Sequence, residues 1–141
     1  MMVIDANILI YAHRDDAPQY AKAFAAMKRL AEGDDPWLLT WHAIHEFVAI
    51  VTHPKMYHPP TEMAHALEQV DAWMESPNVI VAGEGDGYWD HFKRLALDSG
   101  IRGRAIYDVR LAAVGVSHGV FDVLTNDSDF NRIPSIRTRP L

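Results

Sequence analysis

Met2-Val3-Ile4-Asp5-Ala6-Asn7-Ile8-Leu9-Ile10-Tyr11 is the stretch that decides the fold class. Its first three residues form a short apolar run of the kind that makes a fully buried strand. The apolar residues from Ile8 to Ala12 suit a helical turn, and Asn7 offers it an N-cap. A buried strand that feeds straight into a helix is the opening of a βαβ unit. Outward from this stretch the alternation repeats. A second helix is expected from Pro18, with Ala21, Phe24, Ala25, Met27 and Leu30 along its inner side and a stop at Gly33. Residues 36–40 suit a second strand. Residues 42–52 carry apolar side chains at 44, 47, 48 and 51, a helical stripe. The proline-rich segment 53–60 must be a loop. Thr61 is placed to cap the next helix, with Ala64, Leu67, Val70, Ala72 and Trp73 facing in.

The second half follows suit. Strands are expected at 79–82, 120–125 and 135–138, and helices at 88–99 and 105–118, with Gly100 and Gly119 as stops. The last helix would bury Ile106, Val109, Ala112, Ala113 and Val116. Strands separated by helices argue for a mostly parallel sheet of about five strands with helices on both faces. The length of 141 residues, 49% hydrophobic and 23% charged, suits one domain over residues 1–141 and is short for two.

Composition narrows the chemistry. There is no cysteine, which removes disulfides, thiol catalysis and thiolate-bound zinc. No apolar run reaches the roughly 18 residues of a membrane span, and no basic segment precedes the first apolar run as in a signal peptide. A cytoplasmic protein without membrane contact is expected. The net charge of −6 looks unfavourable for nucleic acid, but it is unevenly spread. Residues 1–100 hold 7 Lys/Arg against 15 Asp/Glu, whereas residues 101–141 hold 6 arginines against 4 aspartates. No phosphate-binding glycine loop and no serine nucleophile elbow is present. His45-Glu46-Phe47-Val48-Ala49 has alanine where a zinc-protease helix needs its second histidine.

Acidic residues stand where a ligand site of such a sheet is expected, outside the carboxyl ends of the strands. Asp5 ends the first strand, Asp127 and Asp129 follow the fourth, and Asp108 opens the helix before it. Taken singly, each suits a cap or a turn as well. Glu46 lies about 150° from the centre of its helix's apolar stripe and reads, by pattern alone, as a solvated glutamate. Converging carboxylates repel one another unless a cation neutralises them. An oxygen-only set suits a hard divalent ion such as Mg²⁺ or Mn²⁺.

Four stretches in order resemble PIN-domain ribonucleases, and the VapC-type toxins of VapBC toxin–antitoxin systems most closely. They are Val3-Ile4-Asp5-Ala6-Asn7-Ile8-Leu9, His45-Glu46-Phe47, Tyr107-Asp108-Val109-Arg110-Leu111-Ala112-Ala113, and Leu124-Thr125-Asn126-Asp127-Ser128-Asp129-Phe130. The resemblance implies a three-layer α/β/α sandwich and a Mg²⁺- or Mn²⁺-dependent endoribonuclease leaving 5′-phosphate and 3′-hydroxyl ends. It implies a catalytic quartet of Asp5, Glu46, Asp108 and Asp127. Asp5, Asp108, Asp127 and Asp129 would be the metal-holding positions, and Asn7 and Thr125 would give hydrogen-bond support. It also implies RNA as substrate, a VapB-type antitoxin as partner, and a homodimer. Arg102, Arg104 and Arg110 are candidates for phosphate contacts by their proximity to Asp108 in sequence. Tyr57, Trp73 and Met74 are candidates either for the core or for a partner contact. The alternatives are a non-cutting RNA- or protein-binding module on the same scaffold, and an RNA-processing or structure-specific metal nuclease outside toxin–antitoxin systems.

Overall fold

The computed structural model describes residues 1–141. Five strands form one sheet: β1 (Met2–Ile4), β2 (Trp37–Thr40), β3 (Val79–Ala82), β4 (Asp122–Leu124) and β5 (Arg137–Arg139). Their spatial order is β3-β2-β1-β4-β5, and every neighbouring pair is parallel. The sheet is therefore wholly parallel. Six helices connect and cover it: α1 (Ala6–His13), α2 (Tyr20–Glu32), α3 (Trp41–Val51), α4 (Met63–Met74), α5 (Tyr88–Ser99) and α6 (Ile106–Ser117). Helix α1 packs on α2 and α3, and α5 packs on α6, giving the two helical layers of an α/β/α sandwich. No helix is long and apolar enough to cross a membrane.

Strand β1 is the centre of the sheet, and the chain runs away from it in both directions. The topological switch lies there, and with it the crevice at the strands' carboxyl ends. Val3 and Ile4 are fully buried, as are Trp37, Leu38 and Leu39 of β2. Phe47 of α3 is fully buried and meets the ring of Trp73 edge-on, with centroids 4.9 Å apart. Trp73 thus belongs to the core, while Tyr57 is half-buried beneath the Arg14 guanidinium.

Several expectations about local structure need correction. Helix α1 starts at Ala6 with Asp5, not Asn7, as its N-cap, and no side chain bonds the cap. Asp5 is held by the sheet, so its carboxylate is directed elsewhere. Helix α4 is capped by Glu62; Thr61 is buried instead beside His13 and Arg14, bonding both. Two helix faces are rotated from expectation. Helix α2 buries Ala23, Ala26 and Met27 while Ala21, Phe24 and Ala25 are exposed. Helix α4 buries Ala66, Val70 and Trp73 while Ala64, Leu67 and Ala72 are exposed. Both helices carry apolar residues around most of their circumference, so two stripes of helical period coexist and tertiary contact chooses between them.

Gly115 lets α6 approach β1. A Cβ there would stand 3.0 Å from the Val120 carbonyl oxygen and 3.4 Å from Val3 Cγ1. The same Gly115 carbonyl accepts the Val120 N–H at 2.8 Å, which turns the chain from α6 into β4. Gly115→Ala is expected to destabilise the protein by about 1–3 kcal/mol through overpacking. Urea denaturation of the variant checks this, and an unchanged midpoint would contradict it.

Candidate active site

The β1–β4 ladder ends on the pair Ile4 and Leu124. Its last hydrogen bond runs one residue further, from Asp5 N–H to the Leu124 carbonyl at 3.1 Å. Asp5 therefore stands beside Thr125. The buried Thr125 hydroxyl donates to Asp5 Oδ2 at 2.7 Å and accepts the Asp127 N–H at 2.9 Å. One hydroxyl ties together the two segments that carry these carboxylates. Asp127 then caps the 3-10 turn Ser128–Arg132, its Oδ1 accepting the Asp129 N–H at 2.9 Å. From the helical layer, α6 brings Asp108 in its first turn.

Carboxylate oxygens of Asp108, Asp127 and Asp129 all lie within 4.8 Å of one another. Asp5 stands behind them, only 8% exposed, and lies outside this tight trio. Glu46 reaches the same cleft from α3, its side chain 44% exposed. Its apparent isolation on the helical wheel is thereby explained: it turns away from the core because it faces the cleft. The cleft is lined by Asp5, Asn7, Glu46, Asp108 and Asp127, with His42, Arg104 and Tyr107 around them. Its volume of about 200 Å³ is below the ~300–1,000 Å³ of pockets that enclose small molecules. It suits an ion and a phosphoryl group.

Crowding of like charges leaves its mark on the acidities. Burial, then the charges of Asp127, Asp5, Asp129 and Glu46, push the Asp108 carboxyl up from 3.8 to about 7. Burial also raises Asp5, with Asp127 adding to the effect; the Thr125 hydroxyl and the backbone N–H groups of Asn7 and Ala6 pull it back. Burial and Asp5 raise Glu46, and Arg104 opposes them. The donor set is all oxygen, the oxygens share one cleft, and Arg104 is the one cationic side chain there to offset their repulsion. These residues fit a hard divalent cation.

The model of the PIN-domain family matches residues 2–136. The chain belongs to the PIN-domain family. A VapC ribonuclease of Mycobacterium bovis and ribonuclease VapC43 of Mycobacterium tuberculosis are each 32% identical to this PIN domain over 139 residues, covering 99% of this chain and 94% of theirs. Among solved structures, VapBC2 of Rickettsia felis matches with a TM-score of 0.70 and 14% identity over 99% of this chain and 97% of that one. VapC20 of Mycobacterium tuberculosis matches with a TM-score of 0.68 and 13% identity over 97% of this chain and 99% of its own. At these identities the structural likeness is one of fold.

The arginines of this PIN domain divide. Arg104 lines the cleft. Arg102 is exposed and is not among the cleft-lining residues. Arg110, expected to meet phosphate, is committed within the protein: its Nε pairs with Glu84, and its Nη1 donates to His42 Nδ1 at 3.0 Å. Its charge is answered by a residue 26 positions upstream, which proximity in sequence to Asp108 does not reveal. Asn7 lines the cleft, and its nearby backbone N–H works against the upward push on the Asp5 carboxyl. His42 and Tyr107 also line the cleft, and no local pattern in the sequence links them. They come together only through the packing of α3 near α6.

The acidity of Asp108 has a consequence for stability. Its folded value of about 7 lies above the ordinary 3.8, so the folded state holds the proton more tightly. The contribution is present at low pH and is lost as pH rises through 7. In EDTA at pH 8, Asp108→Asn is expected to be more stable than the parent by about 1–2 kcal/mol. That magnitude is discounted for the solvent screening of a half-buried group. The difference should vanish near pH 4. Chemical denaturation at both pH values checks this; equal stability at pH 8 would contradict it.

Proposed function

We propose that this PIN domain, spanning the chain as one domain, is a divalent-metal-dependent endoribonuclease and the toxin of a VapBC-type pair. The observation that carries the proposal is the convergence of Asp5, Glu46, Asp108 and Asp127 on one cleft. It occurs in a chain 32% identical over 139 residues to a VapC ribonuclease. Mg²⁺ or Mn²⁺ is the proposed ion, because both are hard cations that carboxylate oxygens hold.

Asp5, Asp108, Asp127 and Asp129 would hold the ion, directly or through water, with Thr125 anchoring the Asp5 carboxylate. When bound, the ion would supply Lewis acidity at the phosphoryl group and lower the pKa of the attacking water. Glu46, across the cleft, orients that water for in-line attack on an RNA phosphodiester. Arg104 meets a phosphate oxygen of the RNA and offsets its charge against the acidic wall. Asn7 stands beside Asp5 in the cleft, where its N–H favours the ionised carboxylate.

A VapB-type antitoxin is the proposed protein partner, on the strength of the fold shared with VapBC2 of Rickettsia felis. A basic side chain of such a partner fits the same acidic cleft in place of the ion. A homodimer is proposed as well. Apolar residues available for these contacts are Trp41, Met63 and Leu67, each about half exposed along the α3–α4 groove. The proposed place of action is the cytoplasm, where the RNA is.

Asp5→Asn and Asp108→Asn are each expected to lower metal-dependent RNA cleavage at least about a thousandfold, or ~4 kcal/mol in the barrier. The far-ultraviolet circular dichroism should stay that of the parent. Cleavage of total RNA with EDTA and with Mn²⁺, followed by sequencing of the new ends, provides the assay. Parental cleavage by either purified variant would overturn the metal-site assignment.

A further inference from the structure

Tyr107 lines the acidic cleft immediately before Asp108, yet it is 54% exposed. It is braced from behind. The His42 ring of α3 lies nearly parallel to it, tilted 20° with centroids 5.7 Å apart. His42 is held in turn. An arginine only donates, so Arg110 Nη1 donates to His42 Nδ1 at 3.0 Å, and Arg110 is anchored by its ion pair with Glu84. Burial and the nearby Arg110 charge keep His42 neutral, which leaves Nδ1 free to accept. Glu84, Arg110, His42 and Tyr107 form one continuous brace that ends in an exposed aromatic ring beside the carboxylates.

An exposed ring of this kind is apolar surface left in water next to a phosphate-handling site. Nucleobases cover such rings by stacking, and alanine substitution of a stacking ring typically costs about five- to a hundredfold in affinity. A preorganised ring loses little side-chain entropy when the base arrives. We propose that Tyr107 is a stacking platform for an unpaired RNA base adjoining the phosphodiester at the carboxylates, with His42 as its backing. The proposal rests on the ribonuclease reading above and specifies its substrate. A base inside a duplex already has neighbours on both faces, so the platform selects single-stranded or looped RNA. Stacking is tolerant of base identity, so the platform demands an unpaired base without naming which one.

The test uses single-stranded RNA oligonucleotides in which one abasic nucleotide is scanned along the chain. Tyr107→Ala and Tyr107→Leu are expected to raise KM about tenfold with kcat within about twofold, and Tyr107→Phe to restore the parental KM. In the parent, an abasic nucleotide at one position beside the cleaved bond should impose the same KM penalty. In Tyr107→Ala that penalty should disappear. A parental KM in Tyr107→Ala and Tyr107→Leu, or an abasic penalty equal in parent and variant, would overturn the platform. Binding of 2-aminopurine-labelled RNA to the Asp5→Asn protein separates the two readings. Tyr107-dependent quenching without cleavage by the parent leaves the platform standing and removes the ribonuclease. Cleavage by the parent without Tyr107-dependent quenching in the Asp5→Asn background does the reverse.

Discussion

Five carboxylates, from Asp5, Glu46, Asp108, Asp127 and Asp129, are held at one edge of the sheet, and Arg104 is the one cationic side chain in the cleft they share. Like charges at this spacing and burial are costly, and the protein carries the cost in the protonation of Asp108, whose carboxyl is raised to about 7. Folding alone gives no reason to gather this charge. The backbone brings it together: β1 and β4 are neighbours, both end at the switch point, Asp5 follows β1 directly and Asp127 stands three residues beyond β4.

What keeps the carboxylates from relaxing apart is a set of short contacts. Thr125 bonds Asp5 and Asp127 with one hydroxyl. Gly115 allows α6 to lie close on Val3, which brings Asp108 over the end of β1. On the opposite wall the Glu84–Arg110–His42 chain fixes the ring beside which Tyr107 stands. The site is thus preorganised by the layers around it, so that a bound cation would relieve repulsion rather than order a loop. Such an arrangement lets folding energy hold a functional but unfavourable charge cluster.

Much of this was legible before the structure. The apolar run into Asp5 and the alternation of strands and helices point to a parallel sheet, and the ordered motifs point to the PIN family. Asp5 and Asp127 could be placed from strand ends alone. Glu46 could not, because a residue facing a cleft and a residue facing solvent look alike on a helical wheel; the family resemblance supplied it. The faces of α2 and α4 were misjudged because each has two apolar stripes, and only contact with α1 and α3 selects one. Arg110 is a phosphate candidate by its place next to Asp108, and its pairing with Glu84 on a separate loop carries no local signal. His42 and Tyr107, 65 positions apart in the sequence, carry no local signal of their meeting.

The central claim is that the carboxylate cluster is one cation site whose protons and metal compete. Titration calorimetry of Mn²⁺ in buffers of different ionisation enthalpy tests it directly. With its carboxyl raised to about 7, Asp108 keeps part of its proton at neutral pH without a cation, so binding should release a fraction of a proton. At pH 8.5 the release should fall towards zero and the affinity should rise. Mn²⁺ binding with the same affinity at pH 6 and pH 8.5, and with no proton release, would contradict the account.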